Sequence, residues 1–308
     1  MNFYEHQRRN RRSTALLIGA FILLFAAIGA ALDVTVTGFG VGGATLPYLT
    51  IGALLLSIGI TVLGHYRGAD WVMASLLAEP LRADQPEHRE LENIASEMAI
   101  ASGLPRPRLF VIPDPSPNAL ATGRDPAHAA IGVTAGALAR LDREETQGVV
   151  AHEMAHIANR DTLVMTTVAV LFGGIVMLAD WARRSLAVTG RRRGGAQALV
   201  AAGALLLVLI SPVLSRLLAM AVSRRREYQA DATAVELTRN PAGLARALET
   251  IGASTFPLRA ATRGTAHLFI VSPLRRRANE REDGWSALFA THPPLAQRIA
   301  LLRGMSPG

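Results

Sequence analysis

His152, Glu153 and His156 stand as H-E-x-x-H within the stretch AHEMAHIANRD. Residues four apart on an α-helix share a face, so both imidazoles can direct a ring nitrogen at one metal ion. Glu153 follows the first histidine and is offset along that face. It can reach a water held by the metal without binding the metal itself. Zinc polarises such a water toward hydroxide, and a carboxylate so placed takes the proton and later delivers it to a leaving amine. A peptide carbonyl, which needs both polarisation and a strong nucleophile, is the natural target. The competing reading is a chance match, two histidines on a helix surface with a glutamate between them.

A catalytic zinc site needs a third protein ligand and an open position. The chain has no cysteine, so it uses no disulfide and must supply that ligand as His, Asp or Glu. The segment SRRREYQADATAVEL, Ser223–Leu237, reads as a helix with Glu227 and Asp231 four apart. One carboxylate could ligate zinc while the other accepts the N–H of a ligand histidine and fixes its tautomer. Spacing alone does not assign the two roles, and the plain alternative is two solvated acids balancing Arg224–Arg226. His6, His65, His88, His128 and His267 have no ligand spacing and read as surface or core residues.

The elements that must position these groups are partly legible. Asp142 and Glu145 have capping-box spacing, so a helix carrying the motif begins near Arg143. Pro86–Leu104 reads as an amphipathic helix, with Leu91, Ile94, Ala95, Met98 and Ala99 on one face and Gly103 and Pro105 at its end. Short strands are expected at Arg108–Ile112, Asn118–Thr122 and Ala129–Thr134, separated by turn residues and joined as a small antiparallel sheet. LAQRIALL, with Leu295, Ile299 and Leu302, reads as a closing amphipathic helix. There is no internal repeat and no low-complexity tract.

Around these parts lie apolar runs. Half of the 308 residues are hydrophobic, only 18% are charged, and mean hydropathy is positive. A bilayer core needs a helix of about 20 apolar residues. Four uncharged runs qualify as candidate transmembrane helices: Thr14–Leu32, Ala44–Gly64, Thr162–Ala179 and Ala196–Ser215. Pro212 is expected to kink the last. A buried core helix is the alternative for each, and a secretory signal peptide is a second alternative for the first. Arg residues cluster beside the runs, so Arg8, Arg9, Arg11 and Arg12 are expected in the cytoplasm, with the Arg-free link Asp33–Gly43 outside. The loop holding Arg183, Arg184, Arg191, Arg192 and Arg193 and the cluster Arg224–Arg226 then make competing claims to the cytoplasmic side. All 32 basic residues are Arg, the net charge is +8, and anionic lipid is the expected partner of these clusters. Without aromatic interleaving or a known motif, nucleic acid is not.

The chain therefore divides into an N-terminal hairpin (1–64), a first catalytic part with sheet and motif helix (65–161), a second apolar hairpin (162–215) and a second catalytic part (216–308). The two water-facing parts together make one domain of ordinary size. The fold class expected is α+β and mainly helical.

PNALATG at Pro117–Gly123, HEMAH, EYQAD at Glu227–Asp231 and THPP at Thr291–Pro294 resemble the membrane-embedded M48 metalloproteases over nearly the whole chain. AHLFIVSPL at Ala266–Leu274 adds to the likeness, which is to the HtpX heat-shock type, related to the Ste24 prenyl-protein proteases. The resemblance implies one zinc ion per chain on His152, His156 and Glu227, with Glu153 as the catalytic carboxylate and Asp231 supporting a ligand histidine. It implies a gluzincin-like domain on the cytoplasmic face of the bacterial inner membrane, degrading misfolded or damaged membrane proteins under stress. It places Asn118 and Ala119 on an edge strand that binds extended substrate by strand addition. It suggests that His292 polarises the substrate carbonyl, although a residue before two prolines is also simply a turn residue. Arg275–Asp283 reads as a solvated mixed-charge loop. A Ste24-like prenyl-protein protease fits less well, because four spans cannot enclose a large membrane chamber. An inactive zinc scaffold would lack the general base, and Glu153 is present.

Overall fold

The computed structural model describes residues 3–37, 39, 43, 45–82, 84–189, 224–262, 264–271 and 293–305. Helix α1 spans Phe3–Leu32 and closes in a wider π-helical turn, Asp33–Thr37. Helix α2, Tyr48–Ser75, runs back beside it. The return is fixed by Asp33, whose buried carboxylate accepts hydrogen bonds from the backbone N–H groups of Leu49 and Thr50 and from the Thr50 hydroxyl. It thus satisfies amides that the start of α2 leaves without helical partners. Gln7–Leu32 and Tyr48–Ser75 are long and apolar enough to cross a membrane. Their outer faces carry bare aliphatic side chains: Leu16, Leu23 and Leu55 are 74%, 72% and 67% exposed, a surface suited to lipid rather than water.

Beyond α2 come β1 (Glu79–Pro80) and α3 (Pro86–Ser102), which ends at left-handed Gly103 as the sequence signals. Strands β2 (Arg108–Ile112), β3 (Ala119–Thr122) and β4 (Ala130–Thr134) follow, then the short α4 (Ala135–Leu138). The sheet order is β1-β2-β4-β3. The expected all-antiparallel sheet is corrected here: β2 and β4 pair in parallel, Arg108 opposite Ala130 through Ile112 opposite Thr134. The reason is the return path. From β2 the chain passes first to the outer position, makes β3, and turns at Gly123 into β4, which slots between the two. A parallel pair normally needs a long crossover; here β3 itself is the crossover.

Helix α5 (Arg143–Ala158) and α6 (Asp161–Thr189) come next, then α7 (Arg224–Thr238), α8 (Pro241–Ala253) and α9 (Leu295–Gly304). α5 lies in the middle, packed by α3, α7 and α8 and crossed by β3. Its apolar side chains join a core with Leu91, Ile94, Ile131, Leu244, Leu248 and Leu302.

The third apolar run lies on α6, whose first half is enclosed by α1 and α2 as well as by α5 and β3. Phe21 and Phe25 pack on Leu171 and Ile175, and Val164 and Val168 take Leu17. Gly64 and Gly68 on α2 let α6 close in, since a Cβ on Gly68 would come within 2.9 Å of the Thr166 methyl. α6 also continues through Arg183 and Arg184, which the sequence reading assigned to a loop. The stretch Ile175–Thr189 has neither Gly nor Pro and is rich in good helix formers, so nothing local stops it. The fourth run, Arg191–Arg193, the Arg275–Asp283 loop and His292 lie outside the described residues.

Candidate functional site

The site is assembled on α5. The capping box forms as its spacing predicts: Asp142 Oδ1 accepts the Glu145 N–H at 2.8 Å and Glu145 Oε2 accepts the Asp142 N–H at 3.0 Å. The helix then runs through the interior, so His152, Glu153 and His156 are buried. The two imidazole Nε2 atoms stand 3.1 Å apart. Glu227 on α7 reaches both, with Oε2 3.7 Å from His152 Nε2 and Oε1 3.7 Å from His156 Nε2. These three residues form the group among the described residues that could hold a metal, their donor atoms all within 4.8 Å of one another. Donors on one tetrahedral zinc, each at about 2.0–2.1 Å, sit about 3.3 Å apart, so the observed triangle is of the right size.

The chemistry of the donor set fits a cation as well. His152 Nδ1 lies 2.9 Å from Asp231 Oδ1, and His156 Nδ1 lies 3.1 Å from Asp161 Oδ2. A carboxylate accepts, so each Nδ1 carries a proton, and once each ring is neutral, as a ligand must be, each Nε2 offers a lone pair. Two lone pairs and a carboxylate then converge on one buried point, an arrangement that repels itself unless a positive charge sits there. The charges agree in the ligand state, with both rings neutral and Glu153 ionised: Glu153, Asp161, Glu227 and Asp231 then meet two guanidiniums, Arg226 and Arg298, leaving a formal excess of two negative charges. A divalent ion balances that excess.

Asp161 was not recognised from the sequence as part of this site. On one continuous helix, residues five apart point about 140° apart and could not meet. The helix does not continue. It ends at Asn159, Arg160 takes a left-handed φ of 57°, and α6 starts afresh at Asp161, which folds back over His156. A non-glycine residue in that region is uncommon, and nothing in AHIANRDTL signals the break. Arg298 was also missed. It reads as a charged position on an amphipathic helix, yet it is 1% exposed. It holds Asp231 with two nitrogens at 2.8 and 2.7 Å, stands 3.3 Å from Glu227 and donates to the Ile270 carbonyl. Its one sequence signal is its place among Leu295, Ile299 and Leu302.

Burial and charge set the proton affinities. Burial depresses His152 to about 4 despite Asp231. Burial also works against a charged His156, but the Asp161 hydrogen bond and the charges of Glu227, Asp161 and Glu153 outweigh it and raise that ring to about 9. Burial pushes Glu153 up to about 8, partly opposed by His156 and reinforced by Glu227. Burial would raise Asp231 too, yet Arg298 and the His152 bond hold it at about 2. Glu153 takes the Ala121 backbone N–H, and its Oε1 is buried with no hydrogen-bond partner among the described residues. A buried acceptor left open beside the ligand triangle is what a proton-abstracting group needs.

Asn118 and Ala119 are brought near this centre but not left open. Both are fully buried. β3 is the last strand of the sheet, yet its outer edge carries a bridge from Leu120 to Phe269. Ile270 N–H donates to the Ala119 carbonyl at 3.0 Å, and Asn118 exchanges hydrogen bonds with Val271 at 2.8 and 3.3 Å.

Known proteins resemble this chain over most of its length. The family model described as Peptidase family M48 matches residues 85–306. A protein named "Protease HtpX homolog" from Thermoanaerobacter pseudethanolicus is 42% identical over 98% of both chains. One of the same name from Dictyoglomus thermophilum is 39% identical over 98% of this chain and 95% of its own. Among solved structures, that of S. mikatae Ste24p aligns with 97% of this chain and 66% of its own, at 18% identity and a TM-score of 0.49.

Proposed function

The chain belongs to Peptidase family M48 and is a metalloendopeptidase, and we propose that it is a zinc enzyme of the bacterial inner membrane that cleaves misfolded or damaged membrane proteins at the cytoplasmic face. The observation that carries the reading is the convergence of two imidazole lone pairs and the Glu227 carboxylate on one buried point beside Glu153. Bound at that point, one zinc ion per chain supplies Lewis-acid polarisation of water and of the scissile carbonyl.

The protein's own groups do the rest. Asp231 and Asp161 keep the Nδ1 protons of His152 and His156 in place, so that both Nε2 atoms act as ligands. Arg298 holds Asp231 and neutralises part of the buried negative charge. Glu153 takes the proton of the attacking water on its open Oε1 and passes it to the departing amine nitrogen. The β3 edge led by Asn118 and Ala119 receives extended substrate by strand addition, and there the substrate takes the bond now made by Ile270. His292 polarises the substrate carbonyl.

Placement in the membrane follows the same argument. Arg8, Arg9, Arg11 and Arg12 lie at the end of α1 that touches the site through Asn10 and Asp161. Positive charge favours the cytoplasm, which supports a cytoplasmic active site. We further propose four passes, with the catalytic domain made of residues 65–161 and 216–308 around the hairpin 162–215.

Glu153→Gln tests the mechanism. The three ligands remain, so zinc stays at one per chain, while cleavage of a membrane-protein substrate falls by about 10²–10⁴. Proteolysis at the wild-type rate in the purified variant would remove Glu153 from the chemistry.

A further inference from the structure

We infer that α1 is part of the metal site: Asn10, acting through Asp161, positions His156 as a ligand, although it lies far ahead of residue 85, where the family match begins. The inference rests on the reading that His152, His156 and Glu227 hold a metal.

Asn10 is a polar residue 2% exposed, one turn before the uncharged run of a helix suited to lipid. Its side-chain amide donates to Asp161 Oδ1 at 2.8 Å and to the Asn159 carbonyl at 3.0 Å, which uses both of its N–H bonds. The other oxygen of Asp161, Oδ2, faces His156 Nδ1. The two carboxylate oxygens thus have separate partners, Oδ1 being held by Asn10 with Arg226 Nε farther off at 3.5 Å. A carboxylate held at one oxygen does not turn about its Cβ–Cγ bond, so the direction of the other is fixed. That direction decides which His156 nitrogen bears the proton and where the Nε2 lone pair points.

Gln7, one turn earlier, donates to the Ala158 carbonyl at 3.1 Å. Together the two side chains satisfy carbonyls that the end of α5 leaves without helical partners. They therefore hold the Asn159–Arg160 break that lets Asp161 fold back. Asn10 touches neither substrate nor metal, and its role is positioning.

The test uses the full chain in detergent, in a Glu153→Gln background that stops proteolysis, and reads zinc affinity by chelator competition. Asn10→Ala is expected to weaken zinc about 10–100-fold. It should also shift the visible absorption band of the cobalt-loaded protein, which reports ligand geometry. Arg11→Ala, an exposed change on the same turn, leaves both unchanged. In an Asp161→Asn background, Asn10→Ala should cost nothing further, because the group it acts through is already altered. An Asn10→Ala affinity within about twofold of the parent overturns the proposal. So does an equal loss in the Asp161→Asn background, which would make Asn10 a packing residue only. If Asn10→Ala does not fold, Asn10→Asp keeps the volume, exchanges the donor for an acceptor, and is read in the same two backgrounds. A parent chain that holds no zinc sinks the metal reading and this one together; a parent that holds zinc while Asn10→Ala matches it sinks this one alone.

Discussion

Helices α5 and α6 follow one another across the Asn159–Arg160 break, and both have buried faces. α5 buries His152, Glu153 and His156 there. α6, beyond Asp161 and Thr162, buries Val164, Met165, Val168, Ala169 and Leu171. The first is held by directed pairs, each with a named partner and a narrow geometry. The second, apart from Thr166 bonded to Thr122 and the Gly123 N–H, is held by contact area and close approach, which tolerate change so long as volume is kept. Burial is therefore the same in both and says nothing about function. What separates them is whether removing one side chain leaves its neighbours charged and unpaired.

The comparison can be broken most severely at Glu227. Glu227→Ala removes the only carboxylate of the ligand triangle and leaves two lone pairs facing each other. Zinc content should fall from one per chain to near zero by elemental analysis, a loss in affinity of at least about 10³ given the strength of structural ligation. One-to-one zinc in that variant would move the third ligand to another residue and leave α5 without its distinguishing partner.

Next in size is Arg298. Removing a buried partner of a charge pair costs about 3–5 kcal/mol, because the remaining charge keeps its desolvation penalty. Arg298→Ala leaves Asp231 in that position, so thermal unfolding should show a loss in this range, with zinc held more weakly. A loss under about 1 kcal/mol would mean that water reaches Asp231 and that this end of the site is not dry.

How much of this was legible beforehand divides along the same line. The motif helix, its capping box, the three strands and α7 all leave local signals: spacing, caps and turn residues. His152 and His156 stand out because four-residue spacing on a helix is a local property; the same spacing offers Glu227 and Asp231 without dividing their roles, and the family resemblance is what points to Glu227 as the ligand. Asp161, Arg298 and Asn10 do not stand out, because their roles are created by the meeting of α1, α5, α6, α7 and α9. The left-handed Arg160 carries no residue-type signature, so nothing in the sequence marks a break between the motif helix and the apolar run. The parallel β2–β4 pair was hidden for the same reason. Strand order is a tertiary fact, and the short links suggested hairpins throughout.

The apolar side of the comparison is probed at Gly64, where an added Cβ meets the Val170 side chain across the α2–α6 contact. Gly64→Leu should cost about 1–3 kcal/mol by overpacking. Gly64→Ala combined with Val170→Ala should recover most of the stability, since the pair exchanges volume across the contact. Zinc stoichiometry should stay at one per chain in both. If Gly64→Leu releases zinc, the two helices are not independent in the way their side chains indicate.

The smallest effect sharpens the contrast, because only the α5 side should answer to pH. In protein stripped by chelator, burial works against a charged His156, but the Asp161 bond and the charges of Glu227, Asp161 and Glu153 keep its proton on up to about 9. His152, depressed to about 4 chiefly by burial, is already neutral at pH 7. A ligand imidazole must be free of its Nε2 proton, so zinc uptake between pH 7 and 9 expels the proton of His156. Affinity should therefore rise about tenfold per pH unit across that window and level off above it. Asp161→Asn takes away the largest support of the protonated ring, so its plateau should begin at lower pH. Gly64→Leu should leave the slope as it is. A chelator titration that gives the same zinc affinity at pH 7 and pH 9 would show His156 neutral throughout, and Asp161 would then not hold that ring as its position indicates.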